Sequence, residues 1–357
     1  MKVGILTFHC VDNFGAMLQA YALKTFLMNN DINAKIVRYE PFWLTGRYKL
    51  FPFVISKNIF SSIYWSFKGF KKNLSKGKNF KIQRKNMKKF RKNYFNKNNF
   101  KVLDKNQLEK LFLDTLIVGS DQIWNPKITY GLKGIYFGDF SYEKVIAYAA
   151  SLGNEKLDKK YSKKFKDLLN FVDVVSLREK QSIPYVKMHT KKEVVWMPDP
   201  IFLLNEKDWE KILTPPLEKE YILLYETYED KNLEESAIKI AKEKNLKIIN
   251  INPLFEDKNI ISNYTSGPSE FLGYIKNASY IFTNSFHATA FSIIFNKKFL
   301  AMPSSGAIRL EDILEEFKLL DKTKLENIEE KPNFNFIETK KDELLNKGGS
   351  FLLENIL

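Results

Sequence analysis

Cys10 is the single cysteine of this 357-residue chain. No internal disulfide can form, which fits a reducing compartment. The opening stretch MKVGILTFHC lacks the long apolar core and cleavage site of a secretory leader. No apolar run reaches the length of a membrane span. A cytoplasmic protein is expected. The Gly-x-Gly-x-x-Gly fingerprint is missing, so a dinucleotide is not expected. His9, His189 and His287 have no metal-ligand spacing, and neither a metal nor a cofactor is expected. Cys10 has no neighbouring motif that would make it a nucleophile.

Acidic residues are absent from one long segment. Pro41 to Leu103 contains 17 Lys or Arg and no Asp or Glu. The chain carries a net charge of +15, yet outside this segment 40 basic residues face 42 acidic ones. The basic excess therefore belongs to one stretch, and the remaining fold is nearly neutral. Within the stretch, Ile59, Ile63, Phe67, Phe70 and Leu74 recur at helical spacing, with Phe60 and Tyr64 beside them. Lys68, Lys71, Lys72, Lys76 and Lys78 follow, and Lys85, Lys88, Lys89, Arg91 and Lys92 form a second cluster. Two readings stay open. One is an amphipathic helix packed on the core with a solvated face. The other is an interfacial helix on an anionic membrane. A nucleic-acid partner is not expected.

What is present is alternation. Val3 to Phe8 reads as a strand, His9 to Asn13 as a polar loop, Gly15 to Asn29 as a helix and Ala34 to Tyr39 as a second strand. This is the opening of a Rossmann-like unit. Thr115 to Val118 is a buried strand that runs into Gly119-Ser120-Asp121-Gln122-Ile123-Trp124-Asn125-Pro126. The strand Asp173 to Leu177 ends at Arg178 and Glu179. Polar groups just past strand ends are where open α/β sheets bind ligands. Asp12, Asn13, Gly15, Asp121, Gln122, Trp124 and Asn125 are accordingly candidates for a ligand cleft. Thr214-Pro215-Pro216 is the best linker candidate, since prolines resist helix and central strand. The alternation restarts after it. The expectation is α/β, with two Rossmann-like domains facing a cleft. The first covers 1–213 with a basic insertion at about 41–103. The second covers 217–357 with a helical C-terminal tail.

Ser279 to Phe299 reads as strand, tight turn and helix, with His287 in the first helical turn. Such a helix start favours anions and disfavours imidazolium. A phosphate or carboxylate fits there beside a group able to move a proton.

Seven stretches, ILTFHCVDNFGAMLQAYAL, VGSDQIWNP, YAAS, SLREK, PDPIFLL, GPSEFLGYIKNA and TNSFHATAFSIIF, occur in the order found in the polysaccharide pyruvyl transferases. The chain resembles that family over most of its length; the basic segment matches worst and looks like a subfamily insertion. The resemblance implies a GT-B-like fold. It also implies transfer of a pyruvyl group from phosphoenolpyruvate, as co-substrate, to a sugar or lipid-linked oligosaccharide, with formation of a cyclic ketal. A histidine thought catalytic in the family falls on His287, and a donor-binding arginine falls on Arg178. Many members carry an arginine where this chain has Ser285, so an anion contact is missing or comes from elsewhere. Arg309 and Lys298 are substitutes by position, and Ser285 and Asn284 complete the donor candidates. The alternatives are a nucleotide-sugar glycosyltransferase of the same fold and a non-catalytic envelope-glycan scaffold. The protein is then expected at the inner membrane leaflet, docked through 41–103.

Overall fold

The computed structural model describes residues 1–55, 58–95, 100–102, 107, 110–111, 113–140, 144–254, 257–304 and 308–357. The chain divides into two compact units, Met1–Leu203 with Asn346–Leu357, and Leu204–Leu345.

The first unit is built on seven strands: β1 (Val3–Leu6), β2 (Ala34–Tyr39), β3 (Phe100–Val102), β4 (Thr115–Gly119), β5 (Lys144–Ala150), β6 (Val174–Leu177) and β7 (Val194–Trp196). They lie in the order β3-β2-β1-β4-β5-β6-β7, and every neighbouring pair is parallel. Runs such as VGIL and TLIVG are buried along their whole length. That is the pattern of a parallel sheet covered on both faces. The order reverses between β1 and β4, so the polar loops after these two strands meet at the switch point. Helix α1 (Phe14–Asn29) is capped by Asn13, whose Oδ1 accepts from the Ala16 amide at 3.0 Å. Gln19 on α1 donates to Thr7 Oγ1 at 2.9 Å, and Thr7 donates to Ser120 O at 3.0 Å. The ends of β1 and β4 are thereby tied together.

The basic segment folds as two long helices, α2 (Ile59–Ser75) and α3 (Lys78–Tyr94). Asn58 caps α2 by accepting from the Ser61 amide at 2.8 Å. The small and polar side of α2 packs inward. Ser66 Oγ accepts from the Val54 amide at 3.1 Å, Asn73 donates to Lys49 O at 3.1 Å, and a Cβ at Gly69 would meet Pro52 Cγ at 2.6 Å. The apolar stripe faces outward: Ile59 is 70% exposed, Phe60 80%, Ile63 61% and Leu74 57%. Of the two readings of this stripe, packing on the core is not what the structure shows; only Phe70 is half-buried, against Phe51. Helix α3 instead buries Phe80, Met87 and Phe90, the last in ring contact with Tyr21 of α1.

The second unit has five strands: β8 (Tyr221–Tyr225), β9 (Lys247–Ile251), β10 (Ile260–Asn263), β11 (Tyr280–Thr283) and β12 (Phe299–Ala301). Their order is β10-β9-β8-β11-β12, again all parallel. Helices α5 (Lys231–Lys244), α6 (Pro268–Asn277), α7 (Phe286–Ile294) and α8 (Ile308–Glu316) connect or follow them, α4 being Ser162–Leu169 of the first unit. Ile222, Leu224 and Phe282 share a core with Leu233, Ala237 and Ile240 of α5. The switch point lies between β8 and β11. The strands β3 and β10 go beyond the sequence expectation: both are short, and polar residues interrupt or end their apolar runs.

The unit boundary falls at Leu203–Leu204, ahead of the proline pair. Thr214 is held inside the second unit, its amide donating to Ser269 O at 2.9 Å. The last helix, α9 (Phe334–Ile356), begins in the second unit, and its residues from Asn346 on belong to the first. No helix among the described residues is long and apolar enough to cross a membrane.

Candidate functional site

At the switch point of the second sheet, β11 ends at Thr283 and the chain turns into α7. Ser285 is the N-cap: its Oγ accepts from the Ala288 amide at 3.4 Å, and its own amide donates to Thr283 Oγ1 at 3.0 Å. His287 therefore stands in the first turn of α7, half-buried, its ring edge-on to Phe286. Asn284 is used internally. Its Oδ1 accepts from the Thr227 amide at 2.8 Å and its Nδ2 donates to Tyr228 O at 2.8 Å. It clamps the loop after β8 to the loop after β11. Ser285 and Asn284, expected at the donor, thus shape the turn that presents His287.

One residue past β8 stands Glu226, which the sequence reading missed. It is 4% exposed; Oε1 accepts from the Asp230 amide at 3.1 Å, while Oε2 is buried with no hydrogen-bond partner among the described residues. Burial, then the neighbouring Glu234, pushes its carboxyl up to about 7 against the Asp230 hydrogen bond. A signal was present. An acid directly after the apolar run Tyr221–Tyr225 occupies the same kind of position as Asp121 after β4.

Arg309 lies in the first turn of α8, which follows the C-terminal end of β12, the sheet edge that carries His287. Lys298 does not. It immediately precedes β12, at the opposite edge of the parallel sheet, with Nζ 2.6 Å from Glu329 Oε2. Its place in sequence after the helix suggested a donor contact, but the chain has by then returned along α7 to the strands' N-terminal edge.

The first unit gathers a different set at the C-terminal edge of its sheet. Arg178, one residue past β6, is 4% exposed. Its guanidinium donates to Asp199 Oδ2 at 2.7 Å, stands 3.4 Å from Glu179 Oε1 and 4.0 Å from Asp121 Oδ1. Burial opposes the charge, but Glu179, Asp199 and Asp121 outweigh it and hold the guanidinium pKa above its ordinary value. The second carboxylate oxygen of Glu179 is buried without a hydrogen-bond partner among the described residues, while Oε1 also accepts from Ser151 at 2.6 Å.

The loop after β4 is largely self-satisfied. Asp121 accepts from the Gln122 amide at 2.8 Å, and Gln122 accepts from Asn125 at 2.6 Å. Asn125 also caps a short turn by accepting from the Lys127 amide at 3.0 Å. Gly153, at φ +78°, packs so closely here that a Cβ would lie 2.2 Å from Asn125 Nδ2. Trp124, expected in a cleft, is fully buried: it stacks on Phe137 and donates to Tyr136 O at 2.8 Å. A tryptophan in a polar loop gives no sign of direction, and the large apolar ring found the core. Asn13 is spent on capping α1, and Gly15 is buried inside it. Asp12 is paired with two arginines of α3, at 2.7 Å to Arg91 and 3.2 Å to Arg84.

A sequence profile described as Polysaccharide pyruvyl transferase matches residues 13–306. The chain belongs to the polysaccharide pyruvyl transferase family. No curated protein matches it in sequence. Among solved structures it is similar to S. aureus MnaA in its UDP co-structure, at 13% identity and TM-score 0.53, covering 99% of this chain and 97% of that one. It is also similar to the UDP-GlcNAc 2-epimerase of Methanocaldococcus jannaschii, at 11% identity and TM-score 0.52, with 99% of each chain covered. The UDP-N-acetylglucosamine 2-epimerase of Rickettsia bellii gives 13% identity and TM-score 0.50, over 100% of this chain and 96% of that one. At such identities the likeness speaks for the GT-B-like α/β fold with two parallel sheets, and for nothing finer.

Proposed function

We propose that this family member moves a pyruvyl group from phosphoenolpyruvate to a sugar of a cell-surface polysaccharide precursor, as a ketal. The observation that carries this reading is His287 in the first turn of α7, at the switch point of the second sheet, in a chain of this family. A helix start favours the donor's phosphate or carboxylate, and Arg309 shares its sheet edge. Glu226 adds a carboxyl that holds its proton to about pH 7.

In the proposed reaction C3 of the donor gains a proton and a sugar oxygen bonds to C2. That hydroxyl gives up its proton. The C2–phosphate bond then breaks, inorganic phosphate departs with the bonding pair, and a second hydroxyl closes the ring on C2 with loss of its proton. We assign Glu226 as the acid that delivers the proton to C3 and His287 as the base that takes the hydroxyl proton. Positioned groups of this kind contribute about 10²–10⁴-fold each. The acceptor is placed on a membrane-bound lipid, and α2 is the docking element, with Phe60, Ile63 and Leu74 outward beside Lys68, Lys71 and Lys72. On this reading the protein works at the cytoplasmic face of the inner leaflet.

The experiment is incubation with phosphoenolpyruvate and a panel of lipid-linked and model glycosides, read by phosphate release and product mass. Pyruvylated product with stoichiometric phosphate is the expected result. Glycosyl transfer from UDP- or GDP-sugars with no pyruvyl product replaces this reading by a glycosyltransferase, and no product with either donor by a scaffold.

A further inference from the structure

The first unit contains a cavity of about 470 Å³ whose lining includes none of the residues assigned a proton-transfer role. That lies within the roughly 300–1,000 Å³ typical of small-molecule sites. Its walls are the loop after β1, the end of β2 and one face of α3. Five cations line it: Arg38, Arg84, Lys88, Arg91 and Lys92. The four on α3 recur at i, i+4, i+7 and i+8, the spacing of one helix face. Two carboxylates, Asp12 and Glu40, also line it, leaving a net excess of three positive charges.

The carboxylates are already committed. Asp12 bridges Arg84 and Arg91, and Glu40 takes Arg38 at 3.1 Å. His9 is buried beside Glu40, with Nε2 3.7 Å from the same Oε1 that takes Arg38. The arginines are thus fixed in place as a positive wall. Lys88 and Lys92, by contrast, have no carboxylate within ion-pair distance among the described residues. Like charges gathered on one face repel one another, and a ligand anion relieves the repulsion.

We propose that this cavity is a diphosphate-binding site. Lys88 and Lys92 offer ammonium groups, which act as point charges with rotatable N–H bonds and suit tetrahedral phosphoryl oxygens. Of the arginines, Arg38 has two nitrogens on Glu40, while Arg84 and Arg91 each meet Asp12 through Nη1 alone. Lys88 and Lys92 stand one helical turn apart, about 6 Å along the axis, so each reaches one phosphoryl group. An excess of three charges also matches a diphosphate better than a singly charged anion. The rest of the volume accommodates whatever the diphosphate is attached to, a nucleoside or a polyprenyl chain. The site stands on the first unit alone and does not rest on the transferase reading.

The test is titration calorimetry of the full chain with inorganic pyrophosphate and with inorganic phosphate, in the absence of phosphoenolpyruvate. Pyrophosphate is expected to bind at least tenfold more tightly than phosphate. Lys88→Gln with Lys92→Gln should weaken pyrophosphate at least tenfold without lowering the thermal midpoint. Lys85→Gln with Lys89→Gln, on the same helix but outside the cavity, should leave it within twofold, and His287→Ala should leave it unchanged. Displacement by UDP identifies a nucleoside diphosphate, by geranyl diphosphate a lipid diphosphate, and by both a site that reads the diphosphate alone. No pyrophosphate binding, displacement by neither compound, or equal loss in the two lysine pairs overturns the proposal; the last outcome reports diffuse charge.

Discussion

Asn284 holds Thr227: the side-chain oxygen at the end of β11 accepts the Thr227 backbone amide at the end of β8 at 2.8 Å. One amide side chain therefore sets the spacing of the two loops that carry His287 and Glu226. Asn284→Ala leaves the Thr227 amide and the Tyr228 carbonyl without this partner. Both bonds are part-buried, and a hydrogen bond of this kind contributes about 0.5–1.5 kcal/mol. The expected result is a lower thermal midpoint and reduced pyruvyl transfer, with Asn284→Asp intermediate because it keeps the acceptor and loses the donor. A melt and a turnover assay on both variants check this.

His287→Ala should abolish turnover in a folded protein. The residue sits on the rim of the switch point and fills no core position, so the melt should move little. A loss of about 10²–10⁴-fold is the size expected of one acid–base group. Near-normal activity in a folded variant removes it from the mechanism.

Glu226 gives a pH dependence with a definite sign. Its carboxyl is raised from 4.5 to about 7 in the folded chain. Between these values the native state binds more protons than the unfolded state, so stability falls as pH rises through that window. The contribution is fully present below about pH 4.5 and gone above about pH 7. Glu226→Gln should flatten the wild-type decline in melting temperature between pH 5 and 8. It should also lower kcat and remove a limb of the kcat/KM profile near pH 7, on the side where the acid form is lost. A wild-type profile with no limb there excludes Glu226 as the acid.

Arg178 should behave first as a part of the frame. It is a buried cation facing Asp199, Glu179 and Asp121. Removing one partner of a buried ion pair typically costs about 3–5 kcal/mol. Arg178→Ala is expected to lose stability on that scale in a denaturant melt, and Arg178→Ala with Asp199→Asn should recover part of it. Calorimetry with phosphoenolpyruvate on Arg178→Lys separates the donor role: weaker binding at an unchanged melt assigns Arg178 to the donor.

The strand–helix alternation made the fold legible. Parallel strands need helical crossovers, and apolar runs such as TLIVG and YILLY mark central strands. The turn around His287 was legible for the same reason, since a cap directly after a strand predicts a helix start. Directions of side chains were not. Trp124 and Asp121 share one polar loop, yet one is core and the other half-exposed at the Arg178 cluster. Long-range charge pairing was equally hidden. Nothing local links Asp12 to Arg84 and Arg91, which the fold of α3 onto the first unit brings within 3.2 Å and 2.7 Å. That same pairing removes Arg91 from the residues available to a membrane.

Membrane docking should therefore follow α2 and not α3. Helix α2 exposes Ile59, Phe60, Ile63, Phe67 and Leu74 along one side, next to Lys68 and Lys71, in a segment without a single acidic residue. Exposed apolar side chains flanked by lysines suit the boundary between headgroups and acyl chains. Each lysine near an anionic surface adds on the order of 1 kcal/mol, and salt weakens that share. Apolar insertion is not screened in this way. Co-sedimentation with vesicles should accordingly show binding to anionic lipid at low salt, reduced but retained at high salt, and weak binding to neutral lipid. Phe60→Ser with Ile63→Ser should remove the salt-resistant part, whereas Lys68→Gln with Lys71→Gln should remove the preference for anionic lipid. Binding that vanishes fully with salt means that the lysines act alone. No binding to anionic vesicles at low salt leaves the stripe as a surface for something other than a membrane.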